Sequence, residues 1–159
     1  MMKPRRKKIL LGLLGLLIML QFIPIDRSVP EIQPSQDFLQ KVNAPEDMAN
    51  LIKNACYDCH SYESEYPWYA KIAPMSLLIK SHIKGGRQEM NFSEWGTYSK
   101  EKTATKLEEC FKMVNDRKMP MKSFIFMHPE AKMTDVQVTG LAQWFQQLYR
   151  AETTNNKVK

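Results

Sequence analysis

The chain has 159 residues, 23 Lys and Arg against 17 Asp and Glu, and a formal charge of +6. Five of those bases (Lys3, Arg5, Arg6, Lys7 and Lys8) precede the first acid, and without them 18 bases face 17 acids. The basic pI therefore excludes a nucleic-acid-binding surface as the reason for the charge; it reports topology at the N-terminus.

After the five bases, Ile9–Leu20 is apolar, interrupted only by Gly12 and Gly15, and Phe22 and Ile23 extend it past Gln21. A basic start followed by such a run is an export signal, with the positive side retained in the cytoplasm. No small-x-small cleavage site follows and no Cys lies nearby. Residues 1–23 are read as an uncleaved signal anchor, a transmembrane helix in the inner membrane through residues 9–23; the alternative is a cleaved signal peptide releasing a soluble periplasmic protein. Residues 24–44, with Pro24, Pro30 and Pro34, read as an extended linker.

A first helix is expected from Pro45, with Asn43 as a cap and Glu46 and Asp47 in its first turn; Met48, Leu51, Ile52 and Ala55 share a face that runs into Cys56. Cys56-Tyr57-Asp58-Cys59-His60 is a C-x-x-C-H run, using two of the three cysteines and one of the three histidines. Two thiols three positions apart match the two vinyl groups of a haem, and the adjacent imidazole supplies an axial ligand: the signature of covalent haem c and its iron. The competing thioredoxin-like dithiol lacks a βαβ context, and a zinc site lacks a second ligand pair at metal spacing. Haem c is attached outside the cytoplasm, so motif and export signal agree although each is read independently.

Tyr62, Tyr66, Pro67, Trp68 and Tyr69 follow the motif as core residues or as a wall for a porphyrin. A second helix is expected over Pro74 to Lys84, burying Met75, Leu78, Ile79, His82 and Ile83, with Gly85-Gly86 ending it. His82 reads as a core or pocket-lining residue. Arg87 reads as a surface residue or a partner for a haem propionate. A third helix runs from Ser99 to about Arg117 on the stripe Ala104, Leu107, Phe111 and Val114; Cys110 beside it reads as a buried unreactive thiol, or else as a disulfide partner.

Met119 precedes Pro120 in the next loop, which displays its thioether from extended backbone and makes it the candidate second axial ligand. Met121, a histidine or an open position are the alternatives, and His128 before Pro129 reads as a loop residue. A last helix starts at the capping box Thr134-Asp135-Val136-Gln137 and buries Val138, Leu141, Trp144, Phe145 and Leu148. Residues 151–159 are expected to form a disordered tail. The fold class is thus all-α: a small cytochrome c-like domain of about four helices around one covalent haem, spanning residues 45–150, behind the N-terminal helix.

The order C-x-x-C-H, Tyr66-Pro67-Trp68, Gly86-Arg87, Asn91-Phe92-Ser93-Glu94-Trp95, Met119-Pro120 and a closing Trp144 helix resembles the bacterial haem-binding domain family of small exported proteins, related in fold to class I cytochromes c. The resemblance covers roughly residues 40–150. It implies thioether attachment at Cys56 and Cys59, His60 as the proximal ligand and Met119 as the distal one; Met121 departs from the family pattern. The expected function is a membrane-tethered periplasmic electron carrier, rather than a catalyst, that serves redox partner proteins. A haem peroxidase with His82 as its acid–base group, or a haem-based redox or gas sensor, is the alternative.

Overall fold

A computed structural model describes residues 3–155. It contains eight α-helical segments and, among the described residues, no strand. They are α1 (Pro4–Leu20), α2 (Phe38–Lys41), α3 (Glu46–Ile52), α4 (Asp58–His60), α5 (Met75–Glu89), α6 (Lys100–Asn115), α7 (Lys122–Met127) and α8 (Asp135–Asn155). A π-helical turn, Lys53–Tyr57, joins α3 to α4, so one continuous helix delivers the C-x-x-C-H run. The all-α class expected from periodicity is the class observed.

α1 carries the expected basic first turns, but no described helix is long and apolar enough to cross a membrane. The transmembrane expectation is corrected here. The helix has 17 residues, its first turns are cationic, and a span needs about 20 apolar residues. None of its residues is buried against the protein.

The expected linker is ordered from Pro34 onward. Pro34–Gln36 makes a 3-10 turn and Asp37 caps α2, its carboxylate accepting from the Leu39 amide at 2.9 Å. Phe38 is completely buried and meets Phe92, Trp95, Trp144 and Phe145. Asn43, expected to cap the following helix, instead closes α2. Its φ is 47°, a left-handed conformation that Asn tolerates, and the Ala44 amide reaches back to the Leu39 carbonyl at 3.0 Å.

α6 and α8 pack lengthwise, and α3 crosses α8. Leu107 and Val114 face Val138, Leu141 and Phe145 as the stripes predict, and all five are buried. Ser99 caps α6 through the Lys102 amide, and the Thr134–Gln137 box closes in both directions, at 2.8 and 3.2 Å. α8 continues to Asn155, so the expected tail is helical over 151–155; residues 156–159 lie outside the described residues.

α5 differs from its sequence reading in two ways. It runs through Gly85-Gly86 to Glu89, and it presents Met75, Leu78 and His82 outward while Ser76 and Ile83 are buried. The glycines do not end the helix; Gly86 permits a close crossing. A Cβ there would lie 2.5 Å from the Cys59 carbonyl oxygen, so α5 reaches the haem motif only with glycine at this position.

Candidate haem site

The site is built where α4 crosses α5. His60 Nδ1 donates to the Met90 carbonyl at 3.1 Å, which orients the imidazole and leaves Nε2 with a free lone pair. Burial pulls the imidazole below its ordinary pKa, opposed by that hydrogen bond, so the ring is held neutral as a ligand must be. The turn after it is fixed from α5. Arg87 Nε donates to the Ser61 carbonyl at 2.7 Å and its terminal nitrogen to Ser64 Oγ at 3.0 Å. Ser61 Oγ, fully buried, donates to the Tyr57 carbonyl at 2.8 Å.

Two adjoining cavities meet at this turn. One, of about 210 Å³, is lined by Cys56, Met90, Phe92, Cys110, Val114 and Phe145. The other, of about 240 Å³, is lined by Cys59, His82, Gly86, Pro120, Met121 and Phe124. His60 and Met119 line both. The four residues singled out by the sequence, Cys56, Cys59, His60 and Met119, are therefore brought to one place, with one motif thiol on each side. All three cysteines are free thiols. Burial pushes Cys56 up to about 12, with the Cys59 sulfur beside it adding to the rise, and Cys59 up to about 11, with the Asp58 carboxylate adding and Arg87 opposing, so both are thiols at neutral pH.

Met119 is placed by the end of α6. Arg117 has φ 56°, and the amides of Arg117 and Lys118 return to the Val114 and Met113 carbonyls at 3.0 and 2.9 Å, a Schellman ending. The Met119 amide also reaches the Met113 carbonyl, at 3.1 Å. The reversal turns the chain back toward α4. Met121 lines only the Cys59-side cavity.

The remaining expectations divide: Cys110 is buried and His82 lines a cavity as expected, and the aromatic residues after the motif do not wall the site. Tyr62, Tyr66, Pro67, Trp68 and Tyr69 line neither cavity. Tyr62 binds Glu94 and the Ser93 hydroxyl, Tyr66 lies under Arg27, and Tyr69 bonds His128 at 2.7 Å. Arg87 spends its donors on the motif turn instead of facing the cavities. His82 is exposed and lines the Cys59-side cavity; it is not a core residue. His128 is engaged by Tyr69 and Glu130 and stacks on Phe124, and it lines neither cavity. Cys110 is buried, its thiol raised by burial, with Sγ 3.4 Å from Met90 Sδ.

Met90 and Gly86 are the functional positions that sequence reasoning missed. Met90 contributes a carbonyl, which any residue type supplies, so no side-chain signal marks it. Gly86 was visible as a helix breaker and in the Gly86-Arg87 pair of the resemblance, but not as the point where α5 crosses Cys59.

The donor set tests what the site accepts. Two thiols, a neutral imidazole and a thioether around largely apolar walls fit a flat, hydrophobic, iron-bearing group, and the paired cavities give it room on both sides of His60. Among the described residues no cluster of three His, Cys, Asp or Glu side chains forms an alternative metal cage. Fold and site thus define a small all-helical protein built around a prosthetic-group pocket. The chain belongs to the haem-binding domain family, whose sequence model matches residues 15–147. No curated protein and no solved structure matches it.

Proposed function

We propose that this haem-binding protein is an exported monohaem c-type cytochrome that carries single electrons. The observation that carries this reading is the meeting of the two cavities between His60 and Met119, with Cys56 on one side and Cys59 on the other. Cys56 and Cys59 would hold one haem by thioether bonds, and His60 and Met119 would ligate its iron. The haem supplies a reversible one-electron couple. The chain supplies position: the Met90 carbonyl sets the His60 tautomer, Arg87 holds the motif turn, and the α6 ending presents Met119. Phe92, Val114 and Phe145 exclude water, and a Met/His pair in such surroundings raises the potential. The basic start and apolar turns of α1 support export to the periplasmic side of the inner membrane, where redox partner proteins exchange the electron.

A pyridine haemochrome spectrum of protein made with c-type maturation tests the cofactor. Two thioether bonds that survive acid–acetone extraction are expected, and colourless protein from a competent host sinks the reading. The Met119→Ala variant is expected to lose its low-spin spectrum, whereas an unchanged spectrum removes Met119 as ligand. The exposed His82 beside the same cavity favours a second reading, a haem peroxidase with His82 as acid–base group. That reading requires peroxide-dependent dye oxidation that His82→Ala abolishes.

A further inference from the structure

α1 ends in a specific contact with the domain. The Gln21 side chain accepts from the Ala73 amide at 3.0 Å and donates to the Ala73 carbonyl at 3.1 Å. A paired hydrogen bond of this kind fixes the exit of the apolar helix at one point of the domain surface. Around that point lie large apolar side chains that the fold leaves in solvent: Phe22 is 81% exposed, Trp68 73%, Ile72 50% and Leu78 48%. Met75, one residue past Pro74, is exposed beside them. Two of them, Met75 and Leu78, belong to the α5 stripe that periodicity assigns to a core; Ile83 of that stripe is buried, whereas Met75 and Leu78 stay exposed beside a cleft of about 100 Å³ that Tyr69, Phe124 and Met127 also line.

The border of this patch is cationic. The segment after α1 runs past α5, and the two enclose a pocket of about 310 Å³ whose floor includes Ala70 and Ser76, between the exposed apolar residues. Arg27, Lys80, Lys84 and Arg87 line it with only Asp26 and Glu94 opposing them, and none of the four makes an ion pair among the described residues. Arg27 is held by the Ala70 carbonyl at 2.7 Å and by the Tyr66 ring, and its Nε is buried without a partner. Exposed Trp, Ile and Met edged by Lys and Arg is the chemistry of a surface that sits at lipid headgroups.

We propose that the face formed by Trp68, Ile72, Met75 and Leu78 docks on an anionic bilayer surface, continuing the apolar surface of α1. Gln21 sets its depth. With the apolar turns of α1 in lipid, Ala73 lies at headgroup level, Trp68 and Ile72 enter the interface, and the cationic pocket meets lipid phosphates. The protein is then held by a short helix together with its own domain face, and the missing span length is not needed. The inference rests on the membrane-side localisation proposed above.

The test is photolabelling of the full haem-loaded chain on vesicles of phosphatidylethanolamine and phosphatidylglycerol, with a diazirine dissolved in the lipid. Adducts are expected on α1 and also at Trp68, Ile72 or Met75. Gln21→Ala is expected to lower the yield at residues 68–75 relative to α1 by about fivefold, because both Ala73 hydrogen bonds are lost. Adducts on α1 alone overturn the docking while leaving membrane association intact, and assign the patch to a protein partner instead. A chain that neither floats with the vesicles nor is labelled overturns the membrane localisation itself.

Discussion

Gly85 and Gly86 are adjacent, both helical, and opposite in what a methyl group does to them. At Gly85 a Cβ meets nothing within 4 Å, so Gly85→Ala gains helix propensity and is expected to stabilise the protein by up to about 1 kcal/mol. At Gly86 the Cβ drives into the Cys59 carbonyl, and the collision with backbone outweighs the propensity gain. Gly86→Ala is expected to cost roughly 1–3 kcal/mol and to reduce haem incorporation. Thermal melts of the two variants check the pair; equal shifts refute the close crossing. The motif thiols are a second case. In haem-free folded protein, Cys59, at about 11, carries far less thiolate at pH 8 than an unfolded thiol, whose ordinary value is 9.0. Its alkylation by iodoacetamide is expected to be about 100-fold slower than in denaturant and to rise about tenfold per pH unit above that. Mass spectrometry of the modified peptide reads it, and comparable rates in both states contradict the half-buried placement of this thiol.

At the scale of elements, the ending of α6 decides where Met119 goes. Arg117 occupies the left-handed position that usually favours glycine, and its guanidinium pairs with Asp135 at 2.6 Å across exposed surface. Arg117→Gly is expected to keep the loop, because relief of backbone strain offsets the small loss of an exposed ion pair. Arg117→Val, β-branched, is expected to destabilise by about 1–2 kcal/mol and to weaken the spectroscopic signature of thioether ligation. Identical absorption spectra for the Val variant and the parent speak against this ending as the device that presents Met119. α2 makes the complementary point on the other side of the core. Its Phe38 fills the space among Phe92, Trp95 and Phe145, and Asp37 before it accepts from the buried Tyr57 hydroxyl at 2.9 Å, between the two motif cysteines. Phe38→Ala is expected to cost about 3–5 kcal/mol in a denaturant titration, a loss that a mere linker residue does not produce.

For the whole molecule, the packing of α6 on α8 forms a frame, and the haem motif hangs between that frame and α5. The helix carrying Cys56, Cys59 and His60 is held by the Tyr57–Asp37 hydrogen bond on one side and by Gly86, Arg87 and Met90 on the other. The candidate haem cavity and the core share walls, since Phe92, Val114 and Phe145 belong to both. On α5, Met75, Leu78 and His82 share an exposed face beside a cleft that Tyr69 and Phe124 also line, while Ser76 and Ile83 are buried. That division explains why its apolar stripe failed as a guide to burial.

The sequence by itself determined what is local. The C-x-x-C-H spacing, the capping box at Thr134, the Ser99 cap, the stripes of α6 and α8 and the basic start of α1 are written in neighbouring residues, and local physics suffices to read them. That Met119 reaches the cavities was legible because proline constrains the residue before it. Only tertiary structure decided the rest. Phe38 looks like a loop residue until four aromatic rings from distant segments surround it. Gly86 looks like a terminator until Cys59 approaches it. The Met90 carbonyl has no sequence signature at all, since every residue carries one. Each of these depends on two segments far apart in the chain arriving at the same place, and no window of neighbouring residues carries that information.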